Sequence, residues 1–195
     1  MNSPTTDLSF PHNWSAKILP HPPLILPTRQ FIYPKKAEDI GRGALEVMIR
    51  PAASEPFLGT FALGFADLAA PSGLWSSPDP DWLCAVAGGY AYLVNTSRPE
   101  QFEQIEYRPV QQVRALPCHG LLVFAGHHAL QAWGAARKVW ETERLSSEGV
   151  EITRIEGNHL EGIGWDMIAD RDVPFTIDLR TGARIKLRGQ AAETE

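Results

Sequence analysis

Residues 173–188 read Val173-Pro174-Phe175-Thr176-Ile177-Asp178-Leu179-Arg180-Thr181-Gly182-Ala183-Arg184-Ile185-Lys186-Leu187-Arg188. Val173, Phe175, Ile177 and Leu179 alternate with Pro174, Thr176, Asp178 and Arg180; after Thr181-Gly182 the alternation resumes, with Ile185 and Leu187 against Arg184, Lys186 and Arg188. Side chains along a strand point to opposite faces with a period of two, so the stretch predicts a hairpin with one dry and one wet face. The dry face must cover a larger β core. The stretch specifies architecture and carries no catalytic constellation.

Upstream the same pattern recurs. Leu45, Val47 and Ile49 alternate with Glu46, Met48 and Arg50, and Phe57, Gly59, Phe61, Leu63 and Phe65 share one parity. Two apolar runs, Leu83–Ala87 and Tyr90–Asn95, flank Gly88-Gly89, a glycine pair suited to a hairpin turn because positive φ costs glycine little. Strands are expected at Gly120–Phe124, Ala129–Trp133, Val139–Leu145, Val150–Ile155 and Leu160–Met167, with turns at Ala125-Gly126-His127-His128 and Ser146-Ser147-Glu148-Gly149. Ser97-Arg98-Pro99-Glu100 has a capping residue, an early proline and an acid three positions on, which predicts one short helix over 98–104. The expected fold class is mainly β: an antiparallel meander of sandwich or blade-like sheets, with one short helix.

Seven of the sixteen prolines fall at positions 4, 11, 20, 22, 23, 27 and 34. Such spacing forbids a helix or a central strand, so residues 1–42 are expected to form an extended, proline-rich arm, disordered at its start and docked in part on the body. The body is a single mainly-β domain over 43–188, followed by a disordered tail over 189–195.

Residues 119–188 resemble the blades of quinoprotein-type and tryptophan–aspartate β-propellers. The resemblance rests on Leu122-Val123-Phe124-Ala125-Gly126, Leu130-Gln131-Ala132-Trp133-Gly134 and Val139-Trp140, and on Ile177-Asp178-Leu179-Arg180-Thr181-Gly182. Gly126-His127 and Trp165-Asp166 resemble the Gly-His and Trp-Asp marks of the repeats. It implies blade-like antiparallel sheets. A closed ring of seven blades, at about 40 residues each, would exceed the chain. No residue of this sequence matches a quinone-contacting position, so no cofactor is expected.

The chain has 195 residues and a net charge of −5, with no basic stripe of the kind a phosphate backbone demands, so nucleic acid is not an expected partner. No apolar run approaches the roughly 20 residues of a membrane-spanning helix. Without a secretory signal, and with only Cys84 and Cys118 to pair, the protein is expected to be soluble, reduced and cytoplasmic.

Two functional readings compete. The long loop over 66–82 is stiffened by Pro71, Pro78 and Pro80 and carries Trp75 and Trp82 beside Asp79 and Asp81. Rigid aromatic groups bind at low entropic cost, so Trp75, Asp79, Asp81 and Trp82 are the candidate contact residues of a non-catalytic binding or scaffold domain whose partner is an unknown protein or small ligand. The alternative is a small metal-assisted or acid–base enzyme using His119, His159, Glu161 and Asp166. His159 and Glu161 stand two apart and would share a strand face, the geometry a metal site needs. Trp133, Trp140 and Trp165 lie in strand patterns that packing alone accounts for. The arm could also join two copies by adding a strand to a neighbour's sheet edge.

Overall fold

The structure, a computed structural model, describes residues 4–35, 37–65 and 70–185. These residues form strands β1 Thr5–Asp7, β2 Trp14–Leu19, β3 Gln30–Tyr33, β4 Ala44–Pro51, β5 Phe57–Ala62, β6 Gly73–Ser76, β7 Trp82–Ala87 and β8 Tyr90–Asn95. They continue with β9 Phe102–Gln104, β10 Gln112–Leu116, β11 Leu121–Ala125, β12 Leu130–Trp133, β13 Lys138–Glu141, β14 Glu148–Glu156, β15 His159–Asp166 and β16 Arg171–Asp178. Among the described residues helical structure is limited to two short 3-10 segments, Ala37–Arg42 and Pro117–His119. The protein is mainly β, as its alternation requires.

The strands make four sheets. Sheet I has the order β2-β4-β5-β3, sheet II β1-β6-β7-β8-β9, sheet III β10-β11-β12-β13 and sheet IV β14-β15-β16. All pairings are antiparallel except β1 with β6 and β3 with β5.

The sheets pack in series. One cluster lies between sheets I and II, with Val47, Ile49, Phe57 and Phe61 meeting Leu83, Ala85, Ala87, Tyr92 and Val94. A second lies between II and III, where Cys84, Val86, Ala91 and Leu93 meet Val113, Leu122 and Phe124. A third joins III to IV, with Leu121, Val123 and Ala125 facing Val150, Ile152, Leu160, Phe175 and Ile177. Along β7 and β11 successive residues therefore enter different clusters, as period-two geometry dictates. A strand buried on both faces has no polar parity to show, so β7, β8 and β11 read as unbroken apolar runs. Strands of the end sheets, such as β4, keep the alternation of a one-sided face.

Side chains also tie neighbouring sheets. The amide oxygens of Gln111 and Gln112, at the start of β10, accept the backbone N–H groups of Val150 (3.3 Å) and Ile152 (3.0 Å) on β14. Tyr92 Oη donates to Ala62 O at 3.0 Å, and Tyr33 Oη to Pro99 O at 2.9 Å, so two buried hydroxyls are satisfied across the first interface.

Several expectations change. The helix predicted over 98–104 is a turn followed by β9: Asn95 N–H donates to Gln101 O at 3.0 Å, and β9 pairs antiparallel with β8, so residues 96–101 close a β8–β9 connection that Asn95 Oδ1 steadies by accepting the N–H groups of Ser97 (3.1 Å) and Arg98 (2.8 Å). The loop expected over 66–82 contains β6, an interior strand of sheet II. Its prolines flank Gly73–Ser76 without interrupting them, and Gly73 lets the backbone of Thr5 approach where a Cβ would stand. Residues 66–69 of that loop lie outside the described residues. Glu148-Gly149 does not close a hairpin between β13 and β14, because those strands belong to different sheets. Gly149, at φ +78°, sits at a register shift inside β14.

The stretch read as an arm is extended, and the segments between its prolines pair as β1, β2 and β3, each at a sheet edge. The hairpin read over 173–188 is described as far as Ile185. Gly182 N–H donates to Asp178 O at 2.8 Å, and Ile185 N–H donates to Thr176 O at 2.8 Å. Lys186, Leu187, Arg188 and the tail over 189–195 lie outside the described residues. Among the described residues no helix is long and apolar enough to cross a membrane.

Close packing of sheet IV on sheet III gives a test. A Cβ on Gly164 would stand 2.6 Å from Leu145 O and 2.8 Å from Ser146 Cβ, whereas one on Gly41 would meet nothing within 4 Å. Gly164→Ala is expected to cost about 1–3 kcal/mol and Gly41→Ala almost nothing, read as urea midpoints at unchanged m value.

Candidate functional site

Sheets II and III meet along a long apolar interface, and beside their edge strands the polar ends of several side chains come together. Ser77, Asp79, Trp82, Leu93 and Glu103 of sheet II and its turn, with Trp133 and the β12–β13 turn Gly134–Arg137 of sheet III, line a hollow of about 150 Å³. Two of the sequence candidates, Asp79 and Trp82, stand in it.

The turn before β7 sets their positions. Asp79 Oδ1 accepts the N–H of Asp81 at 3.0 Å, and Asp79 O accepts that of Trp82 at 3.1 Å. This is the short-range bonding for which aspartate is favoured in turns. Asp81 is directed elsewhere: its Oδ1 accepts from Asn13 Nδ2 at 3.0 Å, and its carbonyl accepts both the N–H (2.8 Å) and the hydroxyl (2.9 Å) of Thr96. Asp81 fastens the chain before β2 to sheet II. Trp75 lies on β6 in the core between sheets II and III, 4% exposed, and is out of reach of a ligand in the hollow.

Trp133 belongs to a polar chain running along sheet III. Its Nε1 donates to Gln131 Oε1 at 2.9 Å, and the buried Gln131 amide donates to Glu141 Oε2 at 3.4 Å. Tyr107 Oη donates to Glu141 Oε1 at 3.0 Å, and Lys138 Nζ stands 2.9 Å from Glu141 Oε2 and 3.9 Å from Glu106. Partial burial raises the Glu141 carboxyl, but hydrogen bonds from Lys138, Tyr107 and Gln131 outweigh it and leave it below its ordinary value. Burial and then the negative Glu141 push the Tyr107 hydroxyl up, so it stays a donor. The hydrogen bond to Glu141 raises the Lys138 ammonium. Among the described residues, Arg137 and Glu103 make no ion pair. The hollow thus presents two indoles, a free guanidinium and two carboxylates.

The histidine candidates are not brought together. His119 ends the 3-10 turn before β11 in sheet III, while His159, Glu161 and Asp166 are on β15 in sheet IV. His159 and Glu161 do share a face, but Asp166 ends the strand seven residues on, roughly 23 Å away at about 3.3 Å per residue. Its Oδ1 accepts the N–H groups of Ile168 (2.8 Å) and Ala169 (3.1 Å) of the following turn. Among the described residues no group of three or more His, Cys, Asp or Glu is placed to hold a metal ion. Cys84 is buried and Cys118 exposed, both as free thiols.

Trp133, Glu103 and Arg137 escaped sequence reading. Trp133 follows the strand parity of a packing residue, and nothing local says that its neighbour across the groove is Trp82, 51 positions earlier in the chain. The one local signal is Gly134-Ala135-Ala136, a run too small to cover the indole before it.

No known protein-family profile matches the chain, and no curated protein sequence matches it. Among solved structures it is similar to one described as a TolB of Agrobacterium tumefaciens, at 12% identity and a TM-score of 0.33. The match covers 58% of this chain and 44% of that one, so it spans under half of the other protein's length. An overlap of that extent assigns neither family nor function.

The two tryptophans of the former loop should separate in mutagenesis. Trp75→Ala is expected to cost about 3–5 kcal/mol and Trp82→Ala about 1–2 kcal/mol, with native near-UV circular dichroism kept only by the second. The Glu141 cluster predicts a pH dependence. A carboxyl whose folded pKa is depressed contributes stability above its unfolded value, and the contribution is lost as pH falls through the folded value. Thermal midpoints of the native protein should therefore exceed those of Glu141→Gln near neutrality, with the gap closing below about pH 4.

Proposed function

We propose that the protein is a non-catalytic binding module and that the groove between Trp82 and Trp133 is its contact surface. One observation carries the reading: two indoles from different sheets converge with an unpaired guanidinium on one small hollow. Aromatic groups seated on rigid strands offer apolar area without ordering cost, and Arg137, Glu103 and Asp79 supply a donor and acceptors at the rim. A hollow of about 150 Å³ takes a group about the size of a single six-membered ring, such as a terminal sugar residue or one side chain of a protein partner.

The series of four sheets supports a blade-like arrangement, in which loops and sheet edges are the variable surface and the cores between blades are structural. The two free thiols support residence in a reducing compartment such as the cytoplasm. The acid–base or metal-assisted alternative draws no support from the positions of His119, His159, Glu161 and Asp166, which stand on two sheets and at opposite ends of one strand.

Saturation-transfer NMR against single-ring probes (glucose, galactose, N-acetylglucosamine, indole and phenol) tests the groove. At least one probe should bind the native protein and lose saturation transfer in both Trp82→Ala and Arg137→Ala, at thermal midpoints showing those variants folded. Binding unchanged in both variants, or none of the probes binding, would overturn the reading.

A further inference from the structure

The four sheets form an open series. Sheets II and III each have a neighbour on both faces, whereas I and IV each have a core cluster on one face only. The outer face of sheet IV presents the cross-strand rows Glu151–Ile163–Pro174 and Glu148–Trp165–Asp172, read from the register of β14, β15 and β16. Ile163 and Trp165 are only half-buried there, and with Glu148, Glu151 and Asp172, and with Gln111 and Gln112 from the β10 edge of sheet III, they line an open hollow of about 330 Å³. None of these three carboxylates makes an ion pair among the described residues.

The outer face of sheet I has the opposite character. Its rows are Lys17–Met48–Leu58–Gln30 and Leu19–Glu46–Thr60–Ile32, with Arg50 beside Ser15 at the end; Leu58 is already buried within the chain, and Leu19, Ile32 and Met48 are half-buried. Lys17 and Arg50 are exposed and unpaired among the described residues, while the one acid, Glu46, is engaged by the Thr60 hydroxyl at 2.9 Å. Exposed large apolar residues gather at the same two ends. Leu24 (105%), Ile25 (89%) and Leu26 (54%) lie on the loop between β2 and β3, and Phe65 follows β5. Met167 (66%) and Ile168 (95%) belong to the β15–β16 turn, and among the described residues only Val139 belongs to a middle sheet.

We propose that a second copy of this chain closes the series: the outer face of sheet IV in each copy docks on the outer face of sheet I in the other. The occupant is argued from charge and area. A long cationic side chain fits a hollow walled by carboxylates and an indole, since a cation gains from both Coulomb attraction and the aromatic face. Lys17 and Arg50 supply such side chains, while Met48, Leu19 and Ile32 meet Ile163, Trp165 and Pro174. At about 4.8 Å between strands and 3.3 Å per residue, each sheet face covers roughly 350–400 Å². With two such contacts in a closed pair the faces account for roughly 1,500 Å², within the range of about 1,200–2,000 Å² of a stable interface. A head-to-tail contact either closes on itself or grows into a filament; two copies are the smallest closed form.

Native mass spectrometry and light scattering of the full chain at tens to hundreds of micromolar test the proposal. The native protein is expected as a dimer. Reversing either face alone (Glu148→Lys with Glu151→Lys, or Lys17→Glu with Arg50→Glu) should weaken it at least ~10-fold. Making all four changes in one chain should restore it, because each contact again joins opposite charges. All four changed residues are exposed, and near-UV circular dichroism reports whether each variant is folded. A monomeric native protein, a ladder of higher multiples, a dimer indifferent to both reversals, or a folded fourfold variant that stays monomeric would each overturn it.

Discussion

The structure depends on the burial of both faces of sheets II and III. Cys84 and Val86 face one way, Leu83, Ala85 and Ala87 the other, and Leu122 and Phe124 oppose Leu121, Val123 and Ala125 in the same manner. Such a sheet has no face to give to water, so it is stable only with another sheet on each side. That requirement sets the number of layers: two doubly covered sheets need two singly covered ones to end the series. The end sheets carry outer faces that mix charged with half-buried apolar residues, and further apolar residues are exposed at their loops.

The polar side chains that link the layers are satisfied, although among the described residues Trp14 Nε1 and Ser54 Oγ are buried without a partner. Gln111 and Gln112 bond the edge of β14, and Gln131 links the Trp133 indole to the Glu141 carboxylate. An unpaired buried amide would cost more than its hydrogen bonds return, so these glutamines are effective only in the positions that give each of them partners. The Gln131 chain also locks Trp133 against sheet III, and that rigidity is what makes its indole usable as one wall of a binding groove.

Much of the architecture was legible. The alternation at Leu45–Ile49 and Val173–Leu179, the Gly88-Gly89 turn and the unbroken apolar runs on either side of it all identify strands, because side-chain direction along a strand is a local property. The misreadings have a common origin. The pattern at Ser97–Glu100 is a sound helix start in isolation, yet β9 returns along β8 and the Asn95 N–H bonds Gln101 across the turn; and Gly73–Ser76 is too short to stand out among prolines, yet is an interior strand because β1 comes to its edge. Of the candidate site, Asp79 and Trp82 were legible as a turn acid and an aromatic next to stiff prolines. Trp75 and Trp82 share one face of sheet II and differ only in depth, Trp75 being buried in the core and Trp82 half-buried at its margin.

The sequence by itself determined that this protein is built from short strands, where most of them turn, and which residues have no place in water. Periodicity and turn chemistry act over a few residues and can be read from them. Only the tertiary structure decided which strands share a sheet, that the sheets stand in an open series, and that Trp82 and Trp133 line one hollow with Arg137 at its rim. Those relations join positions tens of residues apart, and each is settled by the burial of whole sheet faces, which no local stretch of sequence contains.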